Sequence, residues 1–185
     1  MGLRRIFELS FVVYFVINLI TAYIINFEQF TIRDPSKFKF IEQGSKTVRD
    51  PDNPYPIWPP KVIVDYVHGY GYKIEPFLIA RPPLWMATIL IEALLFGPYY
   101  IYAIYSFIKR LNRIRDLTVV YAVMMLTKMV IITSVHYFDE NLKSPHPHLA
   151  LLNHLPWFIF PIALLVWMLP TQSPFGRKGK KSKKE

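Results

Sequence analysis

The chain contains no cysteine. Disulfide bridges and cysteine-ligated metals are therefore excluded, and the redox state of its compartment leaves no mark on the sequence. Glycines number seven in 185 residues and are scattered, so no glycine-rich loop is present to cradle a phosphate. No serine, histidine and aspartate stand in an arrangement that supports nucleophilic catalysis. Acidic residues are few, 13 against 22 lysines and arginines, which leaves a formal net charge of +9. Such an excess can mark a nucleic-acid binder. Here the bases flank apolar runs, as in a membrane protein, so nucleic acid is not an expected partner.

What is abundant is apolar and aromatic: 52% hydrophobic residues and 16% Phe, Trp and Tyr, gathered in blocks rather than spread. At this length the chain reads as a single all-α membrane domain, a four-transmembrane-helix bundle. The spans are expected at about residues 6–27, 84–108, 117–138 and 149–169. The first follows Arg4-Arg5 and is broken only by Glu8, Asn18 and Asn26. It is longer than a signal-peptide core and lacks a small-residue cleavage pattern, so it reads as a retained helix. The second opens on Pro82-Pro83-Leu84-Trp85 and carries one charge, Glu92. Gly97-Pro98 should bend it, because Pro98 has no N–H for the carbonyl of Leu94. With Tyr99, Tyr100, Tyr102 and Tyr105 following, this stretch has the makings of a polar pocket inside a bundle. The third carries Lys128 near its middle, and the fourth contains Pro156 and Pro161.

Between the first two spans lies a proline-rich polar loop, residues 28–81, with a short amphipathic helix expected around Val62–Val67. Its Tyr55, Trp58, Tyr66, Tyr70 and Tyr72 suit the membrane surface. Lys109, Arg110, Arg113 and Arg115 crowd the second loop, Lys143 is the lone lysine or arginine of the third, and residues 170–185 form a basic tail. Positive charge on the short segments places both termini in the cytoplasm. At 1.5 Å per residue, Glu92, Lys128 and Asn18 then lie about 12, 15 and 14 Å below the luminal ends of their helices, at one level. An ionisable group at that depth costs roughly 2.5–3.5 kcal/mol, so a Glu92–Lys128 ion pair is the expected way to hold both.

His136, His146, His148 and His154 are close in sequence. Prolines among them favour a turn, and no cysteine or paired carboxylate closes a ligand set, so no metal and no cofactor is expected. The end of the tail, Lys181-Ser182-Lys183-Lys184-Glu185, fits a Lys-x-Lys-x-x retrieval signal of the endoplasmic reticulum, with Lys181 and Lys183 as its key residues.

Taken in order, Tyr14-Phe15, Glu75-Pro76, Pro82-Pro83-x-Trp85, Glu92, Pro98, Tyr121, Phe138-Asp139-Glu140, Pro156-Trp157-x-x-x-Pro161 and the lysine tail resemble the sigma-2 receptor branch of the EXPERA family. That family also includes the emopamil-binding sterol isomerases. The resemblance covers nearly the whole chain, although the first loop is about twenty residues longer than in that branch. It implies a four-helix protein of the endoplasmic reticulum whose intramembrane cavity takes sterols and lipophilic amines. Carried over position by position, it implies ligand contacts at Glu92, Glu75, Asn26, His154 and Trp157. Asn26 stands where the family has an aspartate, and Lys128 where it has a neutral residue. Both changes remove negative charge from the cavity region and disfavour an ammonium ligand. The isomerases use a histidine and two glutamates, and Thr88 stands where that histidine would be.

The expectation is thus a non-enzymatic membrane protein that binds sterol or membrane lipid. Its rival is a structural accessory subunit of a larger membrane complex, with the mitochondrial inner membrane as the alternative address. A membrane-protein partner and a homodimer are the protein associations considered.

Overall fold

In the computed structural model, residues 2–32, 35, 41–43, 46–48 and 55–176 are described. Lys181 and Lys183 lie outside them. Among the described residues, four helical stretches are long and apolar enough to cross a membrane: Leu3–Thr31, Pro83–Lys109, Asn112–Phe138 and Pro147–Met168.

The first span begins earlier than expected, because its basic start is neutralised within the helix. In α1 (Leu3–Ile20), Arg4 and Arg5 reach the buried carboxylate of Glu8 at 3.5 and 3.1 Å. A π turn over Thr21–Ile25 follows, in which the Asn26 N–H donates to the Thr21 carbonyl at 2.8 Å. The short α2 (Glu28–Thr31) prolongs the span beyond residue 27.

The described residues between 28 and 81 are more structured than a loop. After α2, a small antiparallel hairpin pairs β1 (Ile41–Gln43) with β2 (Lys46–Val48), Glu42 opposite Thr47. Then α3 (Lys61–Lys73) runs twice the expected length. It buries Val64, Val67, His68 and Gly71, the i, i+3, i+4, i+7 stripe of an amphipathic helix, while Val62, Tyr66 and Tyr72 stay exposed. Two of the prolines that make this region read as loop stand at helix borders, where a missing N–H does no harm, and so does the pair just after it. Pro60 caps α3, Pro76 caps α4 (Phe77–Ala80), and Pro82-Pro83 opens α5 (Pro83–Ile91).

The second span joins α5 to α6 (Gly97–Lys109) through a π turn, Glu92–Phe96, in which the Gly97 N–H donates to the Glu92 carbonyl. The frame slips by one residue ahead of the proline. In that register the carbonyl of Ala93 would need a donor at position 98, where Pro98 has none. The Tyr23 hydroxyl of the first span supplies it at 2.7 Å. A Cβ added at Gly97 would run into the Tyr23 ring. The two π turns therefore interlock.

The third span enters through a 3₁₀ turn, Asn112–Ile114, into α7 (Arg115–Phe138), and the fourth is α8 (Pro147–Met168). Pro156 and Pro161 lie inside α8, which continues through both. The core sits toward the chain-terminal end of the bundle, where Phe11, Phe15, Tyr100, Phe107, Tyr121, Met125, Leu164 and Met168 are almost fully buried. Aromatic rings dominate it: Tyr14 stacks on Phe160 at 4.6 Å and Tyr99 on Tyr121 at 4.5 Å. Tyr99 and Tyr100 thus belong to packing, and Tyr105 is exposed. The polar pocket expected around Glu92 and these tyrosines keeps Glu92 but none of the four tyrosines.

Candidate functional site

That pocket is a cavity of about 280 Å³ between the spans and beneath α3. The six membrane-region residues singled out in the sequence, Asn26, Glu75, Glu92, Lys128, His154 and Trp157, all line it. Apolar side chains of Ile25, Val67, Leu78, Met129 and Ile132 make much of the remaining wall.

At one side of the cavity, Lys128 Nζ donates to Glu92 Oε2 at 2.7 Å, with both side chains largely buried. Lys128 also lies 5.6 Å from the centre of the Phe96 ring, a cation–π contact. Asn18, at the same depth, does not join this pair and does not line the cavity. Its Oδ1 accepts from Trp157 Nε1 at 2.7 Å, and its Nδ2 donates to the Tyr14 carbonyl at 2.8 Å. Asn18 therefore fixes the indole that walls the site. Thr88 turns away from the cavity and donates to the Trp85 carbonyl at 2.8 Å.

At the mouth stands Glu75, in the turn between α3 and α4 and buried to 3% exposure. The turn is pinned from the third loop, where Ser144 Oγ donates to the Ile74 carbonyl at 2.6 Å. Tyr70 donates to Glu75 Oε1 at 2.8 Å and accepts from Asn153 Nδ2 at 2.7 Å. Burial pushes the Glu75 carboxyl up to about 7, with the Tyr70 hydrogen bond pulling the other way. The Tyr70 hydroxyl is raised as well, by burial and then by the neighbouring carboxylate. His154 Nε2 lies 3.3 Å and His136 Nε2 3.8 Å from Glu75 Oε1. Tyr70, His136 and Asn153 were not singled out as site residues. Tyr70 and Asn153 carry no signature beyond their type, and the carboxylate that His136 meets is remote from it in sequence. His148 instead meets the Tyr137 hydroxyl at 3.3 Å, outside this group.

The loss of negative charge read from Asn26 is offset nearby, though not in the cavity. Glu28, two residues on and fully buried, accepts from Arg81 Nη2 and approaches His68 Nε2, each at 2.7 Å. Gln29 donates to Glu28 at 2.6 Å, and its own Oε1 accepts from Trp85 Nε1 at 2.9 Å. Arg81 further bonds the carbonyls of Gln29 and Ile32. Burial lowers its affinity for its proton, and Glu28 restores part of that. This network clamps the end of the first span to α3 and to the start of the second. It engages Glu28 fully and leaves its carboxylate out of the cavity.

A buried acid at membrane depth, a second acid on the turn before its helix, and an aromatic wall from the fourth helix form one constellation around an intramembrane cavity. The family model of EXPERA (EXPanded EBP superfamily) matches residues 61–168, which include Glu75, Glu92, Lys128, His154 and Trp157 but not Asn26. The chain belongs to the EXPERA family. The matched region starts at α3, so the amphipathic helix over the cavity is part of the EXPERA unit while the first span and the hairpin precede it. No curated protein matches the chain.

Proposed function

We propose that this EXPERA protein is a non-enzymatic, sigma-2-receptor-like protein of an intracellular membrane that holds a neutral sterol or lipid in the cavity. The observation that carries the reading is the Glu92–Lys128 pair. The membrane-depth acid that would attract an ammonium is already compensated at 2.7 Å. What remains is a largely apolar chamber with hydrogen-bonding groups at its mouth, suited to a hydroxyl or ester head and a hydrocarbon body. Glu75, Asn26 and His154 would meet the head, and Trp157 the body. Isomerase chemistry is disfavoured for the same reason. A carbocation-like intermediate would face the Lys128 ammonium, and Thr88 offers no imidazole.

The proposed orientation has both termini in the cytoplasm, and the proposed address is the endoplasmic reticulum, on the strength of Lys181 and Lys183. The deciding experiment is photo-crosslinking of the purified protein with a diazirine sterol. Labelling should map to the cavity residues and be competed by unlabelled sterol more strongly than by a lipophilic amine. Labelling that sterol does not compete, or that amines compete better, would overturn the reading.

One observation favours a second role, as an accessory subunit of a larger membrane complex. Between the first and fourth spans, Phe7, Ile159, Ile162, Val166 and Trp167 line an open apolar groove. The cavity, at about 280 Å³, is also slightly below the ~300–1,000 Å³ usual for ligand pockets. Copurification with a large assembly at constant ratio would identify this role.

A further inference from the structure

Glu75, His136 and His154 converge from three separate segments: the turn between α3 and α4, α7, and α8. One donor atom from each lies within 4.8 Å of the other two. Glu75 Oε1 stands 3.3 Å from His154 Nε2 and 3.8 Å from His136 Nε2. A tetrahedral zinc ion with bonds of about 2.0–2.1 Å spaces its donors roughly 3.3–3.5 Å apart. Two of the three spacings are thus near what such an ion requires.

A second observation points to a ligand independently of the spacing. His136 is 1% exposed, and neither of its ring nitrogens has a hydrogen-bond partner among the described residues. His154 Nδ1 is likewise unpartnered. Native proteins rarely leave a buried polar atom unsatisfied, and two on one ring are rarer still. The Glu75 carboxylate sits among these rings with Tyr70 as its hydrogen-bond donor, while Lys128, the cation of the same cavity, is engaged by Glu92. A bound cation would balance the carboxylate and take up one nitrogen of each imidazole.

We propose that Glu75, His136 and His154 bind a divalent transition-metal ion of the zinc class at the mouth of the cavity. Two imidazoles and one carboxylate are the N,N,O donor set of three-ligand zinc sites, which leave a fourth position open. Glu75 and His154 line the cavity, so that open position faces it. The support behind the ligands is in place. Tyr70 donates to Glu75 and is itself held by Asn153, the kind of contact that orients a ligating carboxylate. Ser144 anchors the turn that carries Glu75. The proposal shares Glu75 and His154 with the sterol reading but does not need a sterol: the three donors alone would hold the ion at the edge of the cavity.

The test is a titration of the full chain, purified in detergent, stripped with chelator and freed of any polyhistidine tag, with cobalt(II) as the probe. One cobalt per chain should bind with the strong visible absorption of a four-coordinate ion, and zinc should displace it. His136→Asn, His154→Asn and Glu75→Gln should each abolish the absorption. Tyr70→Phe should weaken binding roughly 10–100-fold, as for a lost outer-shell contact. His148→Asn, outside the cluster, should change nothing. Zinc should raise the melting temperature of the wild type and not of the three ligand variants, which separates loss of the ion from loss of the fold. Failure of the wild type to bind one cobalt, or binding that survives in His136→Asn and His154→Asn, would overturn the proposal. Either result leaves the sterol crosslinking assay to be judged on its own.

Discussion

Lys128 and Glu92 join the third span to the second at 2.7 Å, each being the partner that lets the other stay in the membrane interior. Removing one leaves an uncompensated buried charge, which costs about 3–5 kcal/mol. Lys128→Thr should therefore lower the melting temperature in detergent, and adding Glu92→Gln should recover much of the loss. A double variant no more stable than Lys128→Thr would show that the contact contributes little. The single variant should also bind lipophilic amines more tightly than the wild type does, measured by competition against the sterol probe.

The interlocked π turns are testable through Gly97. Gly97→Ala forces its new methyl against the Tyr23 ring, an overpacking penalty of about 1–3 kcal/mol. Tyr23→Phe keeps the ring but loses the hydrogen bond to Ala93, a smaller change of about 0.5–1.5 kcal/mol. In the Tyr23→Ala background, Gly97→Ala should be nearly silent. Additive losses in thermal melts of the double variant would mean that the two residues do not meet.

Two arginines adopt left-handed backbone conformations, Arg81 at φ 49° and Arg110 at φ 56°, and each reaches a buried glutamate of the first span. They should respond differently to replacement. Arg81 is 9% exposed and bears on Glu28, so Arg81→Ala should cost about 3–5 kcal/mol. Arg110 is 43% exposed, and Glu8 keeps Arg4 and Arg5. Arg110→Gly should lie within about 1 kcal/mol of wild type, since solvent screens the lost pair and glycine prefers the left-handed region. Denaturation in mixed micelles would rank the two, and equal losses would contradict the difference in burial.

The tail carries the orientation and targeting proposals. A C-terminal epitope should react with antibody after selective permeabilisation of the plasma membrane. Replacing Lys181 and Lys183 with serine should let part of the protein leave the endoplasmic reticulum. A protected epitope would invert the topology, and an unchanged distribution would reduce the tract to a charge anchor.

The four spans were legible because twenty-odd apolar residues bounded by bases have few other readings, and the structure differs at their ends by only a few residues. The site was legible as residue types at matching depth. Its geometry was not. Pro98 announced a bend but not the slipped frame that resolves it. The proline content of residues 28–81 masked α3, because a count does not reveal that Pro60 and Pro76 sit at helix borders. His136 meets Glu75 across 61 positions of sequence, and only the packing of α7 against the turn after α3 brings them together. The role of Glu28 was illegible for the same reason, its partners His68 and Arg81 being 40 and 53 positions away.

The π turn at Glu92–Phe96 makes the second span two half-helices set out of phase. One extra residue in a helix rotates everything beyond it by about 100°. The lower half can thus commit Tyr100, Ala103 and Phe107 to the aromatic core, while the upper half aims Trp85 and Glu92 at the cavity. Deleting a single residue from Ala93–Phe96 would mesh the halves again. Either the acid would swing off its lysine or the tyrosines would leave the core. The turn acts as a gear offset that lets binding and packing answer to separate faces of one continuous helix.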